Sequence, residues 1–234
     1  MDSSMEMILV AGLLPCVVLL FYIYRKDTVE KEPVGLLIKL LLLGCLSTIP
    51  AIILEMIGSY ILSAIGLTEG STLYYLIENF LIIAVAEEAS KRYMLRKGSW
   101  NDPAFNYVFD GVVYAVFVSL GFAGLENVGY IAGFGMEVAV IRGLAAIPLH
   151  AICGVFMGHF YGLHKAYSKY GYAKEAAANK KLSLLVPVLI HGFYDFCASV
   201  QSETMSYVWL GFVVVMDVIA FIQIRNYSKN DKMF

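Results

Sequence analysis

Residues 84–93 read AVAEEASKRY and set two adjacent carboxylates, Glu87 and Glu88, at the end of a long apolar stretch, with Lys91 close behind. An ionisable side chain at the centre of a membrane span costs about 2.5–3.5 kcal/mol, so a pair of acids there needs a reason. Two close carboxylates raise one another's pKa, a common way to prepare a general base or acid. The plainer reading is an interfacial ion pair, Glu87 with Lys91 at i,i+4. One such salt bridge leaves Glu88 without a role.

Histidines and further acids recur in the other apolar stretches. His150 and His191 fall near the middles of two of them, and Asp195 follows His191 at i+4. Residues four apart share a helix face, so that carboxylate can hold one ring nitrogen and fix the tautomer. Glu126, with Asn127 beside it in GFAGLENVGY, is one more intramembrane acid. Gly154, Gly158 and Gly162 follow His150 at four-residue spacing. They make a smooth ridge that lets another helix approach closely. His159 and His164 read as interfacial, and Asp217 has no obvious partner. No phosphate-binding glycine loop, H-E-x-x-H helix or G-x-S-x-G elbow occurs.

Carrying these groups across a bilayer takes helices of about 20 apolar residues each. The chain supplies them: of 234 residues, 59% are hydrophobic and 15% charged, against roughly 45–50% and about 25% in soluble domains. The expected fold is an all-α, polytopic transmembrane bundle of about seven spans, at 7–24, 34–57, 73–90, 110–131, 138–163, 182–200 and 207–224. Pro50 is expected to kink or split the second. These boundaries put the Glu pair in the last turn of span three, at its inner end, and Glu126 near the outer end of span four. The whole chain, 1–234, reads as one integral-membrane domain with a core at about 73–200. Its start is acidic (Asp2, Glu6) and lacks a cleavage site, so the first span is expected to stay as an anchor. Cys16, Cys45, Cys153 and Cys197 are scattered and read as buried thiols. A net charge of −2 gives no ground for a nucleic-acid partner.

Taken in order, the motifs resemble the PrsW family of bacterial intramembrane proteases, relatives of the CAAX-prenyl endopeptidases. YRKDTVEKEP, ending in Glu32-Pro33, is similar to the family's charged segment after the first span. EEASK matches E-E-x-x-K through Glu87, Glu88 and Lys91, and FAGLEN matches F-x-x-x-E through Phe122 and Glu126. HAICG matches H-x-x-x-G through His150 and Gly154, and HGFYD matches H-x-x-x-D through His191 and Asp195. The resemblance implies a bacterial cell-membrane endopeptidase that cuts a single-span anti-sigma factor and so begins release of a sigma factor under envelope stress.

The expected site is a water-filled cavity between spans three to six. Glu87 is the expected base, with Glu88 structural or sharing its proton. His191, oriented by Asp195, would stabilise the oxyanion or protonate the leaving amine, and His150 and Glu126 would complete the polar shell. No cofactor is expected; the alternative is a zinc enzyme with Glu88, His150 and His191 as ligands. A non-catalytic scaffold or immunity protein and an ion-coupled transporter are the readings from other classes.

Loop charges predict the orientation. Lys and Arg cluster in the first, third and fifth connections and in the tail, and the segments near residues 1–6, 58–72, 132–137 and 201–206 have none. By the positive-inside rule the N-terminus is outside and the C-terminus cytoplasmic. A cysteine-specific reagent applied from outside should label cysteines placed near Gly70 and Ser202 and miss those near Gly98 and Tyr172. Labelling near Gly98 would reverse the orientation.

Overall fold

The computed structural model describes residues 3–67 and 69–234. Asp2, from the acidic start, lies outside the described residues. The rest is a helical bundle whose only β pairing among the described residues is one isolated bridge, Tyr107 with Met233.

Helix α1 covers Ser3–Lys26. The second span is in two pieces, α2 (Val34–Leu46) and α3 (Thr48–Ala64). The break falls at Ser47, three residues before Pro50. Proline lacks the N–H for the bond to residue 46, and its ring crowds that carbonyl. The third rod runs through α4 (Thr72–Ile77), a π-helical segment (Glu78–Ile83) and α5 (Ala84–Ser99). Then come α6 (Val108–Phe134) and a rod made of α7 (Glu137–Ile141), a second π-helical segment (Arg142–Ala146) and α8 (Ile147–Lys169). The last two are α9 (Ala173–Ser199) and α10 (Glu203–Lys229).

Six of these rods are long and apolar enough to cross a membrane, with α2 and α3 counted together as Val34–Ala64. The rod at 72–99 is of similar length but carries Glu78, Glu87, Glu88 and Lys91. The groups that make it interesting also dilute its apolarity. It ends nine residues beyond the expected Ser90, at Ser99.

Cross-helix hydrogen bonds show which ends meet. Asn127 Nδ2 bonds Gly12 O, Arg142 Nε bonds Asn127 Oδ1, and Asn79 Nδ2 bonds Ser199 Oγ, all at one end of the bundle. At the other end Ser228 bonds Lys26 O, Arg92 bonds Ser183 and Lys180 O, and the 231–234 tail clamps the start of α6 through Val108 N and Phe109 N. The Glu32 carboxylate lies buried at this second end beneath the Tyr114 hydroxyl, and burial pushes its carboxyl up to about 9.

At the centre is α6, buried at every residue from 109 to 124. A helix apolar on all sides belongs in the interior. By contrast α10 buries only Ala220 and Ile224. Its remaining apolar surface is left for lipid. Glycines let the neighbours approach α6 closely on two sides. A Cβ at Gly158 or Gly162 would strike the Gly111 or Val108 carbonyl, and one at Gly44 or Gly121 would strike the backbone across the α2–α6 contact. Gly154 meets α6 at Ser119 and Val116. Cys16, Cys153 and Cys197 are buried free thiols and Cys45 is half-buried.

Gly158→Ala should destabilise the bundle by about 1–3 kcal/mol, the usual range for overpacking. Gly211→Ala, where no atom lies within 4 Å of the added methyl, should be neutral or slightly stabilising. Thermal unfolding in detergent tests the contrast; equal midpoints for the two variants would refute the close backbone packing.

Candidate active site

The length of the third rod moves the Glu pair. Glu87 is 15 residues from Thr72 and 12 from Ser99, so it sits near mid-rod, roughly 22 Å and 18 Å from the two ends at 1.5 Å per residue. The expected position in the last turn is therefore corrected, as is the separation from Glu126. Glu126 lies eight residues before the end of α6, and His191 lies eight before the end of α9, each roughly 12 Å in. Both levels belong to the Asn79–Ser199 end of the bundle.

Two π-helical segments precede site residues, one before Glu87 and one before His150. Each widens the helix locally and re-aims the side chains that follow, as such bulges often do at functional sites. The first is braced by Asn79, whose Nδ2 donates to Tyr75 O at 2.7 Å and to Ser199 Oγ at 3.2 Å.

Lys91 is the hub. Its side chain is fully buried, and Nζ lies 3.0 Å from Glu87 Oε2, 2.8 Å from Glu88 Oε1 and 3.0 Å from His150 Nδ1. It also sits over the Phe122 ring at 4.0 Å. One lysine thus accounts for both acids, and it is an interior group and no interfacial or loop charge. An ammonium only donates, so His150 Nδ1 accepts and its proton sits on Nε2, 3.0 Å from Glu126 Oε2.

His191 is held from two sides. Nδ1 is 2.8 Å from Glu88 Oε1 and Nε2 is 3.1 Å from Asp195 Oδ2, with Glu87 Oε2 at 3.8 Å. Ionised carboxylates only accept, so both contacts are hydrogen bonds when both ring nitrogens carry protons. Glu88 shares with Asp195 the orienting role that the i+4 spacing alone assigned to Asp195. The two imidazoles stand edge to face, 5.2 Å apart.

All six expected polar residues, Glu87, Glu88, Glu126, His150, His191 and Asp195, therefore meet in one network. Two residues beside it were not anticipated. Arg142 pairs with Glu126 at 2.9 Å and covers the Tyr130 ring at 3.6 Å. Glu55, in α3, faces a cavity that also reaches Glu87 and Glu126. An ionisable residue within an apolar span was the signal available for both. His159 plays no part here; it stacks on Tyr227 at 3.8 Å.

A cavity of about 250 Å³ borders Glu87, Glu126, Arg142, His150, His191 and Asp195 and extends to Asn79 and Ser199. It is polar and large enough for water. Glu87 lines it and Glu88 does not; Glu88 is fully buried, with Oε2 lacking a partner. Ligand atoms of Glu87, Glu88, His150 and His191 fall within 4.8 Å of one another. The donor types would suit zinc. As arranged, Glu87, Glu88 and one nitrogen of His150 engage Lys91, the other nitrogen of His150 faces Glu126, and both nitrogens of His191 face carboxylates.

A family model described as PrsW family intramembrane metalloprotease matches residues 32–222. Among curated proteins, Protease PrsW of Oceanobacillus iheyensis is 32% identical over 223 residues, 95% of this chain and 97% of its own length. Protease PrsW of Bacillus subtilis is 34% identical over 209 residues, covering 89% and 90%. The Geobacillus kaustophilus protein of the same name is 35% identical over 187 residues, covering 80% and 77%. No solved structure matches the chain.

Removing the hub leaves buried charge uncompensated. Lys91→Met should lower stability by about 3–5 kcal/mol, the usual range when one partner of a buried pair is lost. Exposed Lys97→Met should shift it by less than about 0.5 kcal/mol. Unfolding in detergent provides the comparison, and similar midpoints would show that Lys91 does not hold the network.

Proposed function

The chain belongs to the PrsW family of intramembrane proteases, and from that premise we propose that it cuts a single-span membrane protein with Glu87 as general base on a water. It is a bacterial multi-pass membrane peptidase. The observation that carries the mechanistic reading is the unequal exposure of the Glu pair: Glu87 lines the polar cavity, whereas Glu88 is sealed against Lys91 and His191.

Glu87 takes a proton from the water as its oxygen bonds to the scissile carbonyl carbon. The doubly protonated His191 ring, on the cavity wall, stabilises the oxyanion that forms, its Nε2–H then shared between Asp195 and that oxygen. The proton on Glu87 then passes to the departing amine as the C–N bond breaks. Lys91 and Glu88 are positioning residues: one keeps Glu87 in place and the other fixes the His191 ring. His150, Glu126 and Arg142 complete the polar wall.

The family description implies a metal. The donors as arranged do not fit one, because the Lys91 ammonium lies within 3.0 Å of donor atoms of Glu87, Glu88 and His150, where it would repel a dication, so no step is routed through a metal. Stoichiometric metal in active purified protein, with activity lost to a chelator and restored by zinc, would overturn this reading.

The family resemblance supports a single-span anti-sigma factor as the substrate, its cleavage beginning sigma-factor release. The cavity opens toward the end of the bundle whose connections lack Lys and Arg. By the positive-inside rule that end faces outside, and the cut falls in the outer half of the membrane.

Glu87→Gln keeps shape while removing basicity. It should cut turnover by about 10²–10⁴-fold, the range for a lost general base, without reducing membrane expression. Asp195→Asn should be milder than His191→Ala, because Glu88 still holds the ring. The measurement is cleavage of a co-reconstituted single-span anti-sigma factor by matched amounts of folded protein in liposomes. Near-normal turnover by Glu87→Gln ends the base assignment; loss confined to Glu88→Gln transfers the role to its neighbour.

A further inference from the structure

A second cavity, of about 520 Å³, lies between α3 and α6 and meets the polar one at Ile83, Glu87, Glu126 and Tyr130. Its rim is apolar and turned to the lipid side, with Ile52, Leu125 and Phe134 all exposed. Gly129 adds no side chain to its floor. It is therefore a lateral groove that ends on the reacting carboxylate.

Glu55 breaks the apolar wall. Glu87 is paired with Lys91, and Glu126 with Arg142 and His150. Glu55 has no hydrogen bond or ion pair among the described residues, although it is half-buried within a membrane span. An intramembrane carboxylate normally faces a partner or a wet cavity. The cavity is present, and no partner for Glu55 stands among the described residues.

We propose that the α3–α6 groove admits the substrate polypeptide sideways from the bilayer, and that Glu55 is a specificity-determining residue that binds a Lys or Arg side chain of the substrate near the scissile bond. This rests on the assignment of Glu87 as the reacting base, which fixes where the groove must deliver the peptide. Charge complementarity selects the occupant. A cationic side chain laid against Glu55 neutralises the one unpaired acid of the groove, whereas an acidic one meets three carboxylates at its inner end. The contact also sets register, because the distance from Glu55 to Glu87 is fixed by the packing of α3 on the 72–99 rod.

The test uses the full chain in liposomes and a library of single-span peptides randomised through the outer half of the span, with products sequenced by mass spectrometry. Wild type should enrich Lys or Arg at one fixed position relative to the cut, about tenfold over Gln, the discrimination expected of a charge-assisted hydrogen bond. Glu55→Gln should bring that ratio close to one, and Glu55→Lys should move the preference to Asp and Glu. Absence of a positional preference in wild type overturns the proposal. So does a preference that survives in Glu55→Gln, or a uniform loss across all peptides with the ratio intact, which marks a structural role. If Glu55→Lys fails to accumulate, Glu55→Gln alone decides. Activity retained by Glu87→Gln would remove the base assignment while the ratio still reports on Glu55.

Discussion

The buried ammonium of Lys91 is the contact on which the site depends. It touches both acids of its own helix and a histidine of α8, while Glu88 in turn grips a histidine of α9. Three separate helices are thus joined through Lys91 and Glu88, neither of which has exposed surface. In a medium of low dielectric such a contact is strong only while it is complete. A complete one fixes the position of each member relative to the others, as pre-organised catalysis requires.

Charge explains why the network needs several members. Four carboxylates, Glu87, Glu88, Glu126 and Asp195, gather around two permanent cations, Lys91 and Arg142. The excess of acid leaves a carboxylate facing each ring nitrogen of His191. It also separates the functions of the Glu pair, because the acid that shares Lys91 and His191 is closed off and its neighbour keeps access to water. Adjacent residues on a helix point about 100° apart, so neighbouring acids fall naturally into one inward and one cavity-facing position.

Much of this was legible in the residues. Apolar stretches of span length gave the rods, and ionisable groups within them marked the site, because a charge held in lipid is costly enough to need a partner or a task. What the residues could not give was depth. Charges at positions 91–97 look like the end of a span, yet the helix continues to Ser99 and takes Lys91 inside. That misplacement alone set Glu126 apart from Glu87. Arg142 and Glu55 carry the same signal as the other intramembrane acids, but neither has a neighbour in sequence to draw attention to it. Their surroundings come from other helices, and such a pairing is invisible until the chain folds. The two π-helical segments likewise depend on packing and have no sequence signature of their own.

The break at Ser47 divides one span into halves with different duties. On one side, α2 is pressed against α6 through Gly44 and Gly121, so closely that neither could carry a side chain. On the other, α3 presents Ile52 and Glu55 to the lateral groove and keeps most of its surface in lipid. With Pro50 withholding its hydrogen bond, α3 takes a heading of its own, and its close packing on the 72–99 rod at Gly58 and Ile82 holds it there. The α3 wall of the groove and the Lys91 network then rest on different helices. Substitutions around residues 47–50 therefore bear on the heading of α3 and so on the width of the lateral groove, with the acids and histidines untouched.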